Sequence, residues 1–184
     1  VNLDEFWSVV DSARTDAEPT DEALVDRLAA LPMEEILDFQ ERFDEVADAV
    51  HRWDVWAAAY LIGGGCSNDS FSDFRAGLIA LGRGWFESAA QSPDNLAGHP
   101  AVIEAAAQGR SQAIFYEKVQ FAAKAAYERH TDGDVDAFYK ALAVREEAAV
   151  DRATGDDMGE DFDFDDAQLR QRLPRLSALF LPAG

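Results

Sequence analysis

The sequence predicts an all-α protein, an irregular orthogonal bundle of about seven to nine helices within one domain spanning residues 1–184. Three observations carry that expectation. Apolar residues recur at three- and four-residue spacing along almost the whole chain. No alternation of β-branched residues runs long enough to specify a strand. Glycine, proline and capping residues punctuate the pattern at the intervals that helices of ordinary length require. At 184 residues and 48% hydrophobic composition the chain suffices for a single core.

In order along the chain, Phe6, Val9, Val10 and Ala13 form the first apolar stripe, and Asn2 with Glu5 has the spacing of a capping box. Thr20 is placed to cap a second helix carrying Leu24, Leu28 and Leu31. Pro32 suits the first turn of a third, whose core face reads Ile36, Phe39, Phe43, Val46 and Val50. Trp53, Trp56 and Tyr60 share one face of a fourth helix, beside Ala57, Ala58 and Ala59. Gly63-Gly64-Gly65 ends it, because glycine enters the left-handed region without penalty. Ser67 or Asn68 caps a fifth helix with Phe71, Phe74, Leu78 and Leu81. Gln91 to Pro100 reads as a loop, followed by an alanine-rich helix near Ala101–Gln108 and a longer one from Ser111 to His130. After the Asp132-Gly133-Asp134 turn comes an amphipathic helix over Asp134–Ala149, and Pro174–Phe180 is a short last helix. The core expected from these stripes includes Phe6, Phe39, Phe43, Trp53, Trp56, Tyr60, Phe74, Leu78 and Phe115.

Charge and cysteine content narrow the function classes. Sixteen Lys+Arg against 36 Asp+Glu give a net charge of −20. A nucleic-acid backbone or an anionic membrane requires the opposite sign, so neither is an expected partner. Cys66 is the lone cysteine, so an intramolecular disulfide and a cysteine zinc cage are both excluded, and a reducing cytoplasm is the expected compartment. The start Val1-Asn2-Leu3-Asp4-Glu5 lacks the cationic and apolar runs of a secretion leader. The uncharged stretch Val55–Asn68 is too short to span a bilayer. Residues 151–166 are expected to form an acidic strap, with seven carboxylates between Asp156 and Asp166 and with Phe162 and Phe164 pinning it to the core.

Few motifs point to chemistry. Cys66 follows a glycine turn and precedes a helix start, where a thiolate would be favoured. However, His51, His99 and His130 offer it no recognisable catalytic spacing. Asp69 and Asp73 lie one helical turn apart and repel unless a cation relieves them. Arg75 is that cation, or else a bidentate holder of an anionic ligand. The acidic runs beginning at Asp132 and Asp161 fail as calcium loops, since the sixth and twelfth positions are Ala137 and Ala143 in one and Asp166 and Arg172 in the other. Gly63-Gly64-Gly65 and Gly82-Arg83-Gly84 lack the remaining residues of a phosphate or dinucleotide loop. No cofactor or metal is expected. The candidate ligand-binding set is therefore Trp53, Trp56, Cys66, Asp69, Asp73 and Arg75.

The block Arg52-Trp53-Asp54-Val55-Trp56-Ala57-Ala58-Ala59-Tyr60, with Gly64-Gly65-Cys66-Ser67-Asn68-Asp69 and Phe74-Arg75 after it, resembles the bacterial domain of unknown function family 4240. Phe6-Trp7, Leu78-Ile79, Gly82-Arg83, Phe86-Glu87, Pro93-Asp94-Asn95-Leu96, Asp161-Phe162-Asp163 and Leu173-Pro174-Arg175-Leu176 extend the likeness over most of the chain. The resemblance implies a predominantly helical bacterial protein, of a family sometimes found beside WGR-type domains, and it brings no activity with it. The family has two acidic residues after Cys-Ser, and here the first is Asn68. Two functions are expected from these readings. One is a non-enzymatic interaction or regulatory module that binds a basic protein partner, as a monomer or small homo-oligomer. The other is an enzyme or small-ligand binder that holds an anionic ligand around the Trp53–Arg75 motif.

Overall fold

The computed structural model describes residues 1–14, 20–148 and 157–182. Among these residues the chain is all-helical, with no strand. Eleven α-helices lie among the described residues rather than seven to nine: α1 Leu3–Ala13, α2 Thr20–Ala29, α3 Met33–Asp48, α4 Trp53–Gly63, α5 Asn68–Ala80, α6 Arg83–Gln91, α7 Pro100–Ala107, α8 Ala122–Glu128, α9 Val135–Ala148, α10 Asp166–Arg172 and α11 Pro174–Phe180. Two 3-10 turns, Pro93–Gly98 and Glu117–Phe121, complete them. The chain groups into two compact units, one of Val1–Val46 with Lys118–Asp156 and one of Ala47–Glu117 with Asp157–Gly184.

In the first unit α1 opens with the expected capping box: Asn2 accepts the Glu5 amide, and the Glu5 carboxylate accepts the Asn2 amide. Phe6 packs on Phe39 with ring centres 4.8 Å apart and planes tilted by 30°, and Ile36, Phe39, Phe43 and Val46 are buried as the stripe on α3 requires. Thr20 is the first residue of α2 rather than its cap. α8 packs on α2 and α9. Arg145 of α9 reaches α3, donating to Asp38 at 2.7 Å, Glu34 at 2.6 Å and Glu41 at 3.3 Å. That donation holds the Asp38 carboxyl below its ordinary value.

In the second unit α4 is central and buried over most of its circumference, by Val55, Ala57, Ala58, Ala59, Leu61 and Ile62. Its alanines let α5, α11 and the Pro93–Gly98 turn approach closely. Asp94 of that turn is itself buried and caps α11, accepting the amides of Arg175 at 3.0 Å and Leu176 at 2.9 Å. Two stretches far apart in the chain, Pro93–Leu96 and Leu173–Leu176, are thereby brought into one contact.

The expected helix over Ser111–His130 does not form as such. Residues 109–116 are irregular, with positive φ at Gly109, Gln112 and Ile114. They are held by tertiary hydrogen bonds: the Gln112 amide donates to the Ile62 carbonyl at 3.1 Å, and the Tyr116 amide to the Asp73 carbonyl at 3.2 Å. The Ile114 carbonyl lies against Gly77 of α5, so close that a β-carbon there would sit 1.7 Å from its oxygen. Helical periodicity through Phe115, Val119, Ala122 and Ala126 is real, but these competing contacts break the first half into this crossing. The expected loop before Pro100 contains the Pro93–Gly98 turn, and α10 occupies the end of the acidic segment, with Asp165 as its cap.

Four of the expected core residues need correction as well. Tyr60 is 38% exposed, and Trp53, Trp56 and Phe115 are only half-buried. The aromatic stripe of α4 faces outward because its alanine and aliphatic faces take the interior.

Candidate functional site

The candidate residues lie on α4, on α5 and on the turn between them. α4 ends at Gly64, which is left-handed at φ +66° and is followed by Gly65 at φ +125°. Ser67 then caps α5 by accepting the Ser70 amide. The Trp56 indole N–H donates to the Cys66 carbonyl at 3.2 Å, tying the glycine turn back onto the helix it leaves. This bond gives Trp56 and the Gly64-Gly65-Cys66-Ser67 turn a concrete structural task.

Aromatic stacking continues from there. Trp53 stacks on Trp56 at 5.5 Å, and Trp56 on Phe71 at 4.7 Å with planes 16° apart. The Arg75 guanidinium lies over the Phe71 ring at 5.3 Å from its centre. Trp53, Trp56, Phe71 and Arg75 thus form one column, in which Phe71 is the member that sequence reasoning left out of the site. Its helical spacing from Arg75, four residues, was the available signal.

Arg75 donates to the carbonyl of Ala47 at 3.2 Å and pairs with Asp48 at 3.5 Å, at the C-terminal end of α3. A cation there completes a helix terminus that has carbonyls to spare. Asp69 is exposed in the first turn of α5, where its charge suits the helix dipole. Asp73 is half-buried, and its backbone carbonyl receives the Tyr116 amide. Arg52, just before α4, grips Asp54 through two hydrogen bonds of 3.0 and 2.9 Å, and Asp54 also accepts the Val55 amide.

Cys66 behaves as a thiol. Burial pushes its pKa up to about 11, and the nearby Asp73 charge adds to the rise, against the direction a nucleophile needs. Its Sγ–H lies 3.5 Å from the Ser67 carbonyl. Among the described residues no group of three or more His, Cys, Asp and Glu side chains is placed to hold a metal ion. No helix among them is long and apolar enough to cross a membrane.

The acidic strap is described from residue 157 onward, and its expected portion 151–156 lies outside the described residues. It has no regular secondary structure, turns at Gly159 (φ +75°), and leaves Asp161, Asp163 and Asp165 exposed with Phe162 and Phe164 half-buried. Phe164 meets Trp53 at 6.4 Å and Tyr60 at 5.5 Å.

The chain's family follows from its sequence match. Residues 2–129 match the family described as "Protein of unknown function (DUF4240)". The chain belongs to that family. The matched span holds all six candidate residues, together with Phe71 and the Asp94 cap, whereas the acidic strap and α11 lie beyond it. No curated protein matches the chain. No solved structure matches it either.

Proposed function

We propose that this chain is a non-enzymatic acidic interaction module that binds a basic protein partner. The observation that carries the reading is the placement of the strap carboxylates. Asp161, Asp163, Asp165 and Asp166 all face solvent, and Glu160 is 77% exposed along its side chain, while the phenylalanines between them turn inward. A net charge of −20 adds long-range attraction for a cationic surface. Within the Trp53–Arg75 motif the polar groups serve the fold: Trp56 ties the turn, Ser67 caps α5, and Arg75 completes the end of α3. The alternative, an anionic ligand held by Arg75, has to compete with the Ala47 carbonyl and Asp48 for that guanidinium.

Residues 1–184 act in this proposal as one module with an irregular orthogonal bundle. Each compact unit is assembled from two separated stretches of chain, so neither is a contiguous segment.

The test is a titration with an arginine-rich peptide at low and at about 0.5 M salt, where the Debye length shrinks to a few ångströms. Wild type is compared with Asp161→Asn/Asp163→Asn/Asp165→Asn and with the control Asp132→Asn/Asp134→Asn/Asp136→Asn. Salt-sensitive binding lost only in the strap variant supports the proposal. Equal loss in both variants reduces it to bulk charge, and salt-independent binding contradicts it.

A further inference from the structure

The outer face of α4 is partly covered by residues 157–165, which turn at Gly159 and then alternate exposed and half-buried positions from Asp161 to Asp165. Trp53, at the first position of α4, has no acceptor for its amide within the helix, and donates it to the Met158 carbonyl at 3.0 Å. The remaining attachment is by alternate side chains. Phe164 meets Trp53 edge-on, with planes 74° apart, and lies against Tyr60. Phe162 packs on Phe164 at 5.3 Å, and the Arg172 guanidinium covers it 4.3 Å from the ring centre. Arg172 also pairs with Glu160 at 3.0 Å. The intervening Asp161 and Asp163 point to solvent.

One residue in and one out is how an extended peptide ligand lies on a receptor surface, with pockets reading alternate side chains. The surface beneath has a receptor's character: Tyr60 is 38% exposed and Trp53 is half-buried even with the segment in place. We infer that the Trp53–Tyr60 face of α4 is a recognition surface for an extended Phe-x-Phe segment with intervening carboxylates, and that residues 160–165 fill it as a displaceable occupant from the same chain. Trp53 and Tyr60 read the second phenylalanine. Arg172 reads the first, and favours an acidic residue two positions before it. A partner segment of the same pattern competes for this face. This inference does not rest on the basic-partner proposal: it stands on the contacts of Phe162, Phe164 and Arg172, whereas that reading stands on the outward carboxylates.

The test uses amide hydrogen exchange on the full chain. The Trp53 amide reports docking of the segment, while the Leu78 amide, within α5, reports the core. In Phe162→Ala/Phe164→Ala the Trp53 amide is expected to exchange about tenfold faster or more, with Leu78 unchanged, as for a locally opening element. A synthetic peptide of residues 157–166 added to that variant restores Trp53 protection saturably, at concentrations up to the millimolar range that tethering replaces. The same peptide with both phenylalanines changed to alanine does not. Arg172→Gln, which keeps both rings, gives a smaller acceleration confined to Trp53, and keeps the test open should the double variant fold poorly. Acceleration of Leu78 together with Trp53 in Arg172→Gln would make the segment part of the core and overturn the inference. A folded double variant that takes up no peptide would overturn it equally.

Discussion

Replacing Gly77 with alanine puts opposing energies on one methyl group. Gly77 lies well inside α5, where alanine is ordinarily favoured over glycine by about 1 kcal/mol. At this position the new β-carbon would stand 1.7 Å from the Ile114 carbonyl oxygen and 2.8 Å from its carbon. Carbon–oxygen contacts relax at about 3.3–3.6 Å, so the crossing segment would have to retreat by about 1.6 Å. Its backbone cannot swing away as a side chain would. It is fixed by the Gln112–Ile62 and Tyr116–Asp73 hydrogen bonds, and already turns through positive φ at Gln112 and Ile114. Overpacking of this kind costs about 1–3 kcal/mol. Each hydrogen bond lost adds about 0.5–1.5 kcal/mol. The steric cost exceeds the propensity gain, and Gly77→Ala should destabilise by about 2–4 kcal/mol, or roughly 5–15 °C in Tm for a chain of this length. Gly84→Ala is the matched control, since nothing lies within 4 Å of its β-position. It should be neutral or stabilising by up to about 1 kcal/mol. Thermal unfolding followed by circular dichroism compares the two. Equal stability of Gly77→Ala and wild type would refute the close approach of residues 109–116 to α5.

Further predictions concern the buried and paired charges. Asp94→Ala leaves the Arg175 and Leu176 amides without their acceptor, and should cost about 2–4 kcal/mol in denaturant unfolding, more than an ordinary exposed cap. Arg75→Ala removes the donor at the end of α3 and the cation over Phe71, and should lower stability by about 1–3 kcal/mol, with Arg75→Lys intermediate because a lysine lacks the planar fork. Cys66, with its pKa near 11, should alkylate with iodoacetamide far more slowly at pH 8 than free cysteine, at a rate still rising above pH 9. The Asp38 pKa is lowered in the folded state by the Arg145 hydrogen bond. Its contribution is therefore present above the unfolded carboxylate value of about 3.9 and lost as pH falls through the folded value. Arg145→Met should flatten that acid limb when Tm is followed between neutral and acidic pH.

Local chemistry was legible where it decides the outcome locally. The Asn2–Glu5 box, the glycine stop of α4 and the Ser67 cap rest on interactions within a few residues, and the apolar spacing of α3 and of Pro174–Phe180 is carried by their own residues. Three features were hidden because they depend on distant partners. The crossing at 109–116 is set by Ile62, Gly77 and Asp73, none of which its own periodicity reports. Asp94 looked like a loop residue, since its ligands are amides about eighty positions away. Tyr60 matched a core stripe by spacing, yet the alanines beside it made the better interior face. In the candidate site, sequence located the aromatic helix, the turn and Arg75. It gave no sign that Arg75 would be engaged at the end of α3, or that Phe71 would join the stack.

Native mass spectrometry of the protein purified from its own host tests the central claim most directly. The interaction-module account predicts a chain free of small molecules and metal that carries a second, basic protein, and loses it as ionic strength is raised. A small molecule or metal ion retained stoichiometrically, and lost on Arg75→Ala with the fold intact, would contradict that account and move the function to the Trp53–Arg75 column.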